Sequence, residues 1–264
     1  MFQSNNPTLK NDAFAPAQTW DAAMGRVTTR ERSTTMTLQG TIWKSFTLLM
    51  IAAIVGVVGW NAILADHSLL FPFWGIGAIG GLVLGLIITF KPRTAPFLAP
   101  AYAIAEGAFI AGASVWWTSF ATSGKAAALG TGLVMQAGVL TVGIAACMLI
   151  AYGTRLIKPT QRMIAGIAAA TGGVIIAGFV AFAASFFVPG LVMSFWQSPL
   201  GLAFAGVIVV IAALNLVTDF AIIEQGVENN APKHMEWYGA FALLVTLVWL
   251  YISILRLLAL LRRD

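Results

Sequence analysis

The side chains best placed to do chemistry are a few acidic residues inside long apolar runs. Asp219 stands in AALNLVTDFAIIE at 212–224, a segment that is otherwise apolar enough to lie in a bilayer. Inserting an aspartate at the centre of a membrane helix costs roughly 2.5–3.5 kcal/mol. An aspartate found there therefore usually faces protein or water and has a partner. Asn215 comes four residues earlier, on the same helical face and within side-chain reach. We predict that this polar stripe is the functional core.

Two further carboxylates are expected near this stripe. Glu106 lies in the third of seven apolar runs, and Glu236 lies at the start of the seventh. At 1.5 Å per residue, Glu106 and Asp219 each lie roughly 8–12 Å from the same end of their helices. Carboxylates that meet in a low-dielectric site cannot all stay ionised, so they share protons or bind a cation. The pattern therefore predicts a proton or cation site with Asp219 and Glu106 as candidate metal ligands.

A structural alternative stands beside this prediction. Glu106 and Asp219 could each pair with a cytoplasmic base such as Arg93 and only pin two helices together. For Glu236, which follows the polar loop QGVENNAPKHM, the alternative is a solvated position at the membrane interface.

The elements that must position these residues are seven apolar runs, each near the ~20 residues that cross a ~30 Å hydrocarbon core. Hydrophobic residues make up 59% of the chain and charged residues 9%, whereas a soluble domain has about 25% charged residues. Because lipid offers no hydrogen bonds to the backbone, helix is the expected state of each run. We predict an all-α polytopic membrane protein whose seven transmembrane helices cover 42–64, 69–90, 97–120, 126–152, 164–188, 200–223 and 237–258.

The basic residues predict how the chain is divided and oriented. Residues 1–40 are polar and cannot bury a core, so they form a predicted disordered cytoplasmic tail ahead of a transmembrane domain at 41–264. A cytoplasmic N-terminus places eleven of the fifteen Lys and Arg residues inside. Arg256, Arg262 and Arg263 then lie outside, although Lys and Arg in short loops are usually found on the cytoplasmic side. Either the early loops dominate the orientation or the last run is re-entrant, and we predict seven full spans.

Several function classes find no support. The single Cys147 excludes an intramolecular disulfide and a cysteine metal cluster. The net charge of +5 comes from bases in short loops between apolar runs, so we predict no nucleic-acid partner. The two histidines, His67 and His234, form no HExxH motif, and Ser114 has no histidine in the membrane as a base. The sequence therefore predicts neither an enzyme nor a resident cofactor.

A family resemblance becomes visible when the motifs are taken in order. The segment YAIAEGAFIAG at 102–112, the aspartate late in the sixth helix, and YGAFALLVTLVWLYISILRLL in the seventh resemble the transmembrane Bax inhibitor motif family in its bacterial branch. The likeness covers 42–262. It implies two groups of three helices around a central seventh helix in the bacterial inner membrane. It also implies a pH-sensitive leak through which Ca²⁺ passes transiently, governed by an aspartate pair on the sixth and seventh helices and an arginine latch.

The resemblance carries over only in part. Asp219 matches the first aspartate, and Arg93 is the expected latch because a guanidinium can clamp a carboxylate bidentately. The second aspartate is missing: one alignment places Ser253 there and another places Thr246. We prefer Thr246, which is ten residues in from Glu236, whereas Ser253 is seventeen residues in and closer to the outer face. Glu106 or Glu236 is our hypothesis for the missing carboxylate.

Two functions from different classes follow. The first is a calcium leak gated by a carboxylate cluster on the cytoplasmic side. The second is a regulator without transport activity that restrains a membrane-anchored ATP-dependent protease, as the resemblance implies for bacterial relatives, with the polar tail as the segment held by the partner. The lipid bilayer is the expected environment in both cases. The sequence does not indicate whether the protein forms oligomers.

Overall fold

The computed structural model describes the backbone of residues 35–122 and 127–262, and the side chains of these ranges apart from 122 and 127–129. Seven long helices dominate it, each long and apolar enough to cross a membrane, so the predicted all-α architecture with seven spans is confirmed. The last run forms one continuous helix of 27 residues, which is long enough for a full span. The helices are α1 (Leu38–Ala65), α2 (Leu70–Phe90), α3 (Ala95–Thr122), α4 (Ala127–Gly153), α5 (Gln161–Phe187), α6 (Pro199–Glu228) and α7 (Met235–Leu261). The predicted tail lies almost entirely outside the described residues.

Short connections alternate between two faces of the bundle. The N-side carries the start of α1 and the turns that follow α2, α4 and α6. The C-side carries the other turns and the end of α7. Short 3₁₀ helices, His67–Leu69 and Pro92–Thr94, complete the connections before α2 and α3, and a six-residue helix, Leu191–Trp196, lies between α5 and α6 on the C-side.

Helix α7 lies at the centre of the bundle. It packs against α1, α3, α4 and α6. Helices α1 and α2 both pack on α3, while α4 and α5 both pack on α6. The chain therefore forms two groups of three helices around α7, as the resemblance implies.

The two groups differ in how tightly they pack. A Cβ added at Gly77 of α2 would lie 2.8 Å from the carbonyl oxygen of Ala105, and one at Gly107 of α3 would lie 2.7 Å from that of Ala52 on α1. Only glycine permits such close approach of helix backbones. In α5, by contrast, Ile167 is the buried residue and most other side chains face outward. The first group thus provides a rigid frame, and α5 is largely a lipid-facing helix.

Candidate functional site

Asp219 and Thr246 meet where α6 packs on the central helix. The Thr246 side chain hydrogen-bonds the Asp219 carboxylate, and Thr246 itself is 93% buried, since only 7% of its surface is exposed. Asp219 lies nine residues before the end of α6 and Thr246 lies eleven residues into α7, so each is roughly 14–17 Å from the N-side helix ends. The preferred alignment thus places a hydroxyl beside the one aspartate. Ser253 instead donates to the Trp249 carbonyl of its own helix at 2.7 Å.

The Asp219 carboxylate is incompletely satisfied. Its Oδ2 atom is buried and has no hydrogen-bond partner among the described residues, and the same holds for Oγ1 of the neighbouring Thr218. The ion pairs among the described residues involve Glu224 and Glu236 and leave Asp219 out. Buried polar atoms are nearly always paired, and an uncompensated one marks a strained or functional position. The site therefore has unused capacity for a proton, a water molecule or a cation.

Asn215 does not complete this site. Its amide nitrogen donates to Thr171 Oγ1 of α5 at 2.8 Å and to the Ile211 carbonyl at 2.9 Å. The spacing of four residues placed it correctly on the Asp219 side of α6, but that spacing does not decide which neighbouring helix attracts the side chain. Asn215 holds the peripheral helix α5 against α6.

Glu106 lies at a similar depth but faces another helix. It is eleven residues into α3, hydrogen-bonds Tyr102 one turn earlier, and comes so close to Gly81 of α2 that a Cβ there would lie 3.0 Å from its Oε1 atom. Helices α3 and α6 both pack on α7 without a substantial contact with one another. The predicted meeting of Glu106 and Asp219 is therefore replaced by two separate sites.

Glu236 forms a third, distinct site at the start of α7. It is fully buried. Its carboxylate accepts hydrogen bonds from the backbone N–H of Thr37 at 2.9 Å and the Thr37 hydroxyl at 2.8 Å, and it pairs with Lys44 and with Lys233 at 2.9 Å. Gly40 leaves room for the carboxylate, because a Cβ there would overlap it. Neither the solvated position nor a role as partner of Asp219 fits this arrangement, which ties α1 to α7.

Lys44 is the residue in this arrangement that the sequence analysis missed. It lies six residues into α1, near the N-side end of the span, where a lysine can extend its charge to the membrane interface. Lys and Arg are frequent near the ends of membrane helices, so nothing in the sequence singles out Lys44 as the partner of Glu236. Its ammonium also lies 5.6 Å from the centre of the Trp237 ring. Glu224, the other carboxylate near this face, accepts from the Tyr152 hydroxyl and lies 3.5 Å from Arg155.

The expected arginine latch is absent from the described part of the chain. Arg93 is exposed, and none of the described hydrogen bonds or ion pairs includes it. It lies in the 3₁₀ turn Pro92–Thr94, which the Thr94 N–H closes by donating to the Lys91 carbonyl at 2.9 Å. This turn holds Arg93 at the surface, away from both Asp219 and Glu106.

A cluster that could hold a metal ion does not form either. Within 35–122 and 127–262, no group of three or more His, Cys, Asp or Glu side chains could bind one. The predicted ligand pair of Asp219 and Glu106 is separated by the helix packing. A calcium ion takes 6–8 oxygen ligands, and Asp219 and Thr246 contribute only two side chains toward that number.

A cavity of about 810 Å³ is lined by residues of α1, α3, α4, α6 and α7 and borders this region. Its floor includes Leu216 and Phe220, which flank Asp219 on α6, and Leu247, which follows Thr246 on α7. The lining is mostly apolar, and its polar side chains are Ser45, Asn61, Ser114, Thr131, Thr141 and Tyr251. Ser114 and Tyr251 hydrogen-bond each other at 2.9 Å. Such a lining suits hydrocarbon better than a hydrated ion.

Comparison with known proteins assigns the chain to a group. A family model described as Bax inhibitor 1 like matches residues 6–263, which is nearly the whole chain. A search of curated proteins found no significant match.

Proposed function

Because the chain belongs to the Bax inhibitor 1 like family, we propose that it is a pH-sensitive cation leak in a cell membrane, with calcium as the cation and Asp219 as the group that senses protons. The observation that carries the proposal is the buried Oδ2 atom of Asp219, which has no partner among the described residues although the carboxylate lies against Thr246 of the central helix. The proposed gate is a single carboxylate with a hydroxyl, in place of an aspartate pair.

The physical argument concerns charge at the α6–α7 contact. When Asp219 is protonated, it is neutral, and α6 can stay packed on α7 without a counter-charge. When it is ionised, the charge is stable at this depth only if water or a cation reaches it. Ionisation therefore favours a hydrated path beside α7, and a cation entering that path would find one carboxylate oxygen free.

The apolar cavity beside the site supports a closed conformation. Leu216, Phe220 and Leu247 line the cavity, whereas Asp219 and Thr246 do not. An ion loses its hydration shell in such a lining and gains no ligands in exchange. Opening then requires α6 and α7 to separate near Asp219, which ionisation of this carboxylate would favour.

The test is calcium flux into proteoliposomes at about pH 6 and about pH 8. We expect the native chain to pass more calcium at the higher pH, and Asp219→Asn to show low flux at both, because the amide mimics the protonated carboxyl. The matched control is Asp66→Asn on the C-side turn. There, hydrogen bonds from Ser68 hold the pKa of Asp66 below its usual range, so this exposed carboxylate stays ionised at both pH values.

Two results would contradict the proposal. A pH-dependent flux that persists unchanged in Asp219→Asn would show that another group senses protons. Absence of flux in both proteins would remove the leak altogether and leave the membrane-regulator hypothesis.

A further inference from the structure

Arg256 of α7 is a cation inside the bundle that has no acidic partner in the described ranges. Its guanidinium carbon lies 4.5 Å from the centre of the Trp196 ring and 5.9 Å from that of Trp117. The ion pairs formed by described residues all lie at the opposite face, the N-side. Aromatic faces attract a guanidinium but do not neutralise it, so no acidic group among the described residues compensates the charge of Arg256.

The hydrogen-bond donors of Arg256 also lack an acceptor among the described residues. Nε is buried and has no partner among the described residues, whereas the residue as a whole is partly exposed. No described hydrogen bond uses the terminal nitrogens. A guanidinium presents its N–H groups as a planar fork that matches two oxygens of a phosphate or carboxylate. The open side of this fork therefore suits an anion with paired oxygens.

Trp196, the nearer of the two tryptophans around Arg256, is fixed in place by its own packing. Trp196 ends the six-residue helix on the C-side, and its ring lies 6.0 Å from that of Phe204 on α6. A Cβ added at Gly201 would lie 2.8 Å from the Trp196 Cα atom, so the two backbones touch. The Ser198 hydroxyl donates to the Phe195 carbonyl at 2.7 Å and closes the connection. The guanidinium thus lies in a preformed aromatic seat.

The depth of this seat identifies the anion. Arg256 is five residues before the end of α7, and Trp117 is five residues before the end of α3, so both lie roughly 7–8 Å from the C-side helix ends. A 27-residue helix is roughly 40 Å long, so it extends about 5 Å beyond each edge of a ~30 Å hydrocarbon core. The guanidinium therefore lies at the edge of the core, where phospholipid phosphates begin.

We propose that Arg256, clamped between Trp117 and Trp196, binds a phosphate group, namely that of a phospholipid headgroup in the C-side leaflet. The charge of the arginine, its free donors and its depth each match this ligand. The site also accounts for an arginine at the face where the distribution of basic residues predicts few.

The experiment measures thermal unfolding of the purified full chain in detergent against increasing concentrations of dihexanoyl phosphatidylglycerol. The apparent Kd follows from the rise in unfolding temperature. We expect Arg256→Gln to weaken binding roughly tenfold or more, because it removes charge-assisted hydrogen bonds. Arg256→Lys keeps the charge without the fork, so an intermediate Kd is expected. Each variant is compared with its own lipid-free unfolding temperature.

Three controls decide between sources of the effect. Arg262→Gln, on the same helix, removes an exposed arginine that donates to Gln136 at 3.0 Å, and it should bind lipid like the native chain. Dihexanoylglycerol carries the same acyl chains without phosphate and should bind weakly. Equal lipid binding by native chain and both Arg256 variants would overturn the proposal, as would equal binding of dihexanoylglycerol. Equal stabilisation by inorganic phosphate would overturn its assignment to a lipid.

Discussion

Thr246 stands beside Asp219 at the position where the family resemblance expects a second aspartate. We predict that Thr246→Asp creates a carboxylate pair there. Two like charges in close contact cannot both ionise freely, so the pair titrates as a coupled unit. Calcium flux measured over a pH series should then depend on pH more steeply than in the native chain, because two groups take part.

The uncharged variant Thr246→Asn is the matched control for this prediction. It has nearly the size of aspartate and adds no ionisable group, so its pH profile should keep the native slope. A Thr246→Asp profile with that same slope would show that position 246 does not couple to the proton-sensing group.

The residue-level predictions show what sequence can and cannot supply. Asp219 stood out because a charge in an apolar run is costly, and that argument holds for any arrangement of the helices. Counting along each helix also placed Glu106 and Asp219 at similar depths. The direction in which Glu106 faces depends on how far α3 is rotated and on its packing against Gly81 and Tyr102. The depth of a residue can be counted along its own helix, whereas a contact between side chains depends on how two helices are rotated and packed.

At the level of helix contacts, Glu236 joins α1 to α7. We predict that Glu236→Gln lowers the free energy of unfolding by about 3 kcal/mol, because it leaves the buried part of Lys44 without its counter-charge. Removing one partner of a buried ion pair costs about 3–5 kcal/mol, and we expect the low end of this range. The low end applies because the Lys44 side chain is 20% exposed. Thermal unfolding in detergent should show the loss directly.

Two variants sharpen this measurement. The Lys233 side chain is 45% exposed, so Lys233→Gln should cost only about 0–1 kcal/mol, as exposed pairs do. Adding Lys44→Met to Glu236→Gln should restore part of the lost stability, since the unpaired charge is then gone. If Glu236→Gln unfolds at the native temperature, the carboxylate does not hold the two helices together.

The close contact of α2 with α3 permits a second test of helix packing. We predict that Gly77→Ala destabilises the protein by up to about 2 kcal/mol. The new Cβ would meet backbone atoms of Ala105 and Phe109, and such overpacking costs about 1–3 kcal/mol. The gain in helix propensity from glycine to alanine, about 1 kcal/mol, offsets only part of this cost. Gly80→Ala is the matched control, because its Cβ would lie 3.7 Å from Ala105 Cβ, an ordinary contact. Equal unfolding temperatures for the two variants would contradict the inferred close approach.

The elements themselves were predicted well, and their ends less so. All seven spans follow from apolar runs of membrane length, but α1 begins at Leu38 rather than 42 and α6 ends at Glu228 rather than 223. Apolar composition stops at the edge of the hydrocarbon, whereas a helix continues until a cap ends it. Thr37 supplies that cap for α1, accepting from the Gly40 N–H at 3.1 Å. Hydropathy alone does not register such a cap.

For the whole molecule, the proposed leak depends on which face of the bundle lies in the cytoplasm. Lys91, Arg93, Arg155 and Lys233 all lie at N-side turns or beside them, and short loops rich in Lys and Arg stay on the cytoplasmic side. We therefore predict that the N-side is cytoplasmic. Asp219 then senses protons from the cytoplasm, and the Arg256 seat faces the outer leaflet.

Cysteine labelling in intact cells tests this orientation with matched variants. The exposed Cys147 is first replaced by serine, and a single cysteine is then introduced at an exposed turn position, either Ser68→Cys on the C-side or Asn229→Cys on the N-side. A membrane-impermeant maleimide should label Ser68→Cys in intact cells, and Asn229→Cys only after the cells are opened. The reverse pattern would place Asp219 nearer the outside and make the leak respond to external pH. It would also assign the phosphate bound by Arg256 to the inner leaflet, because Asp219 lies nearer the N-side end of α6 and Arg256 lies near the C-side end of α7.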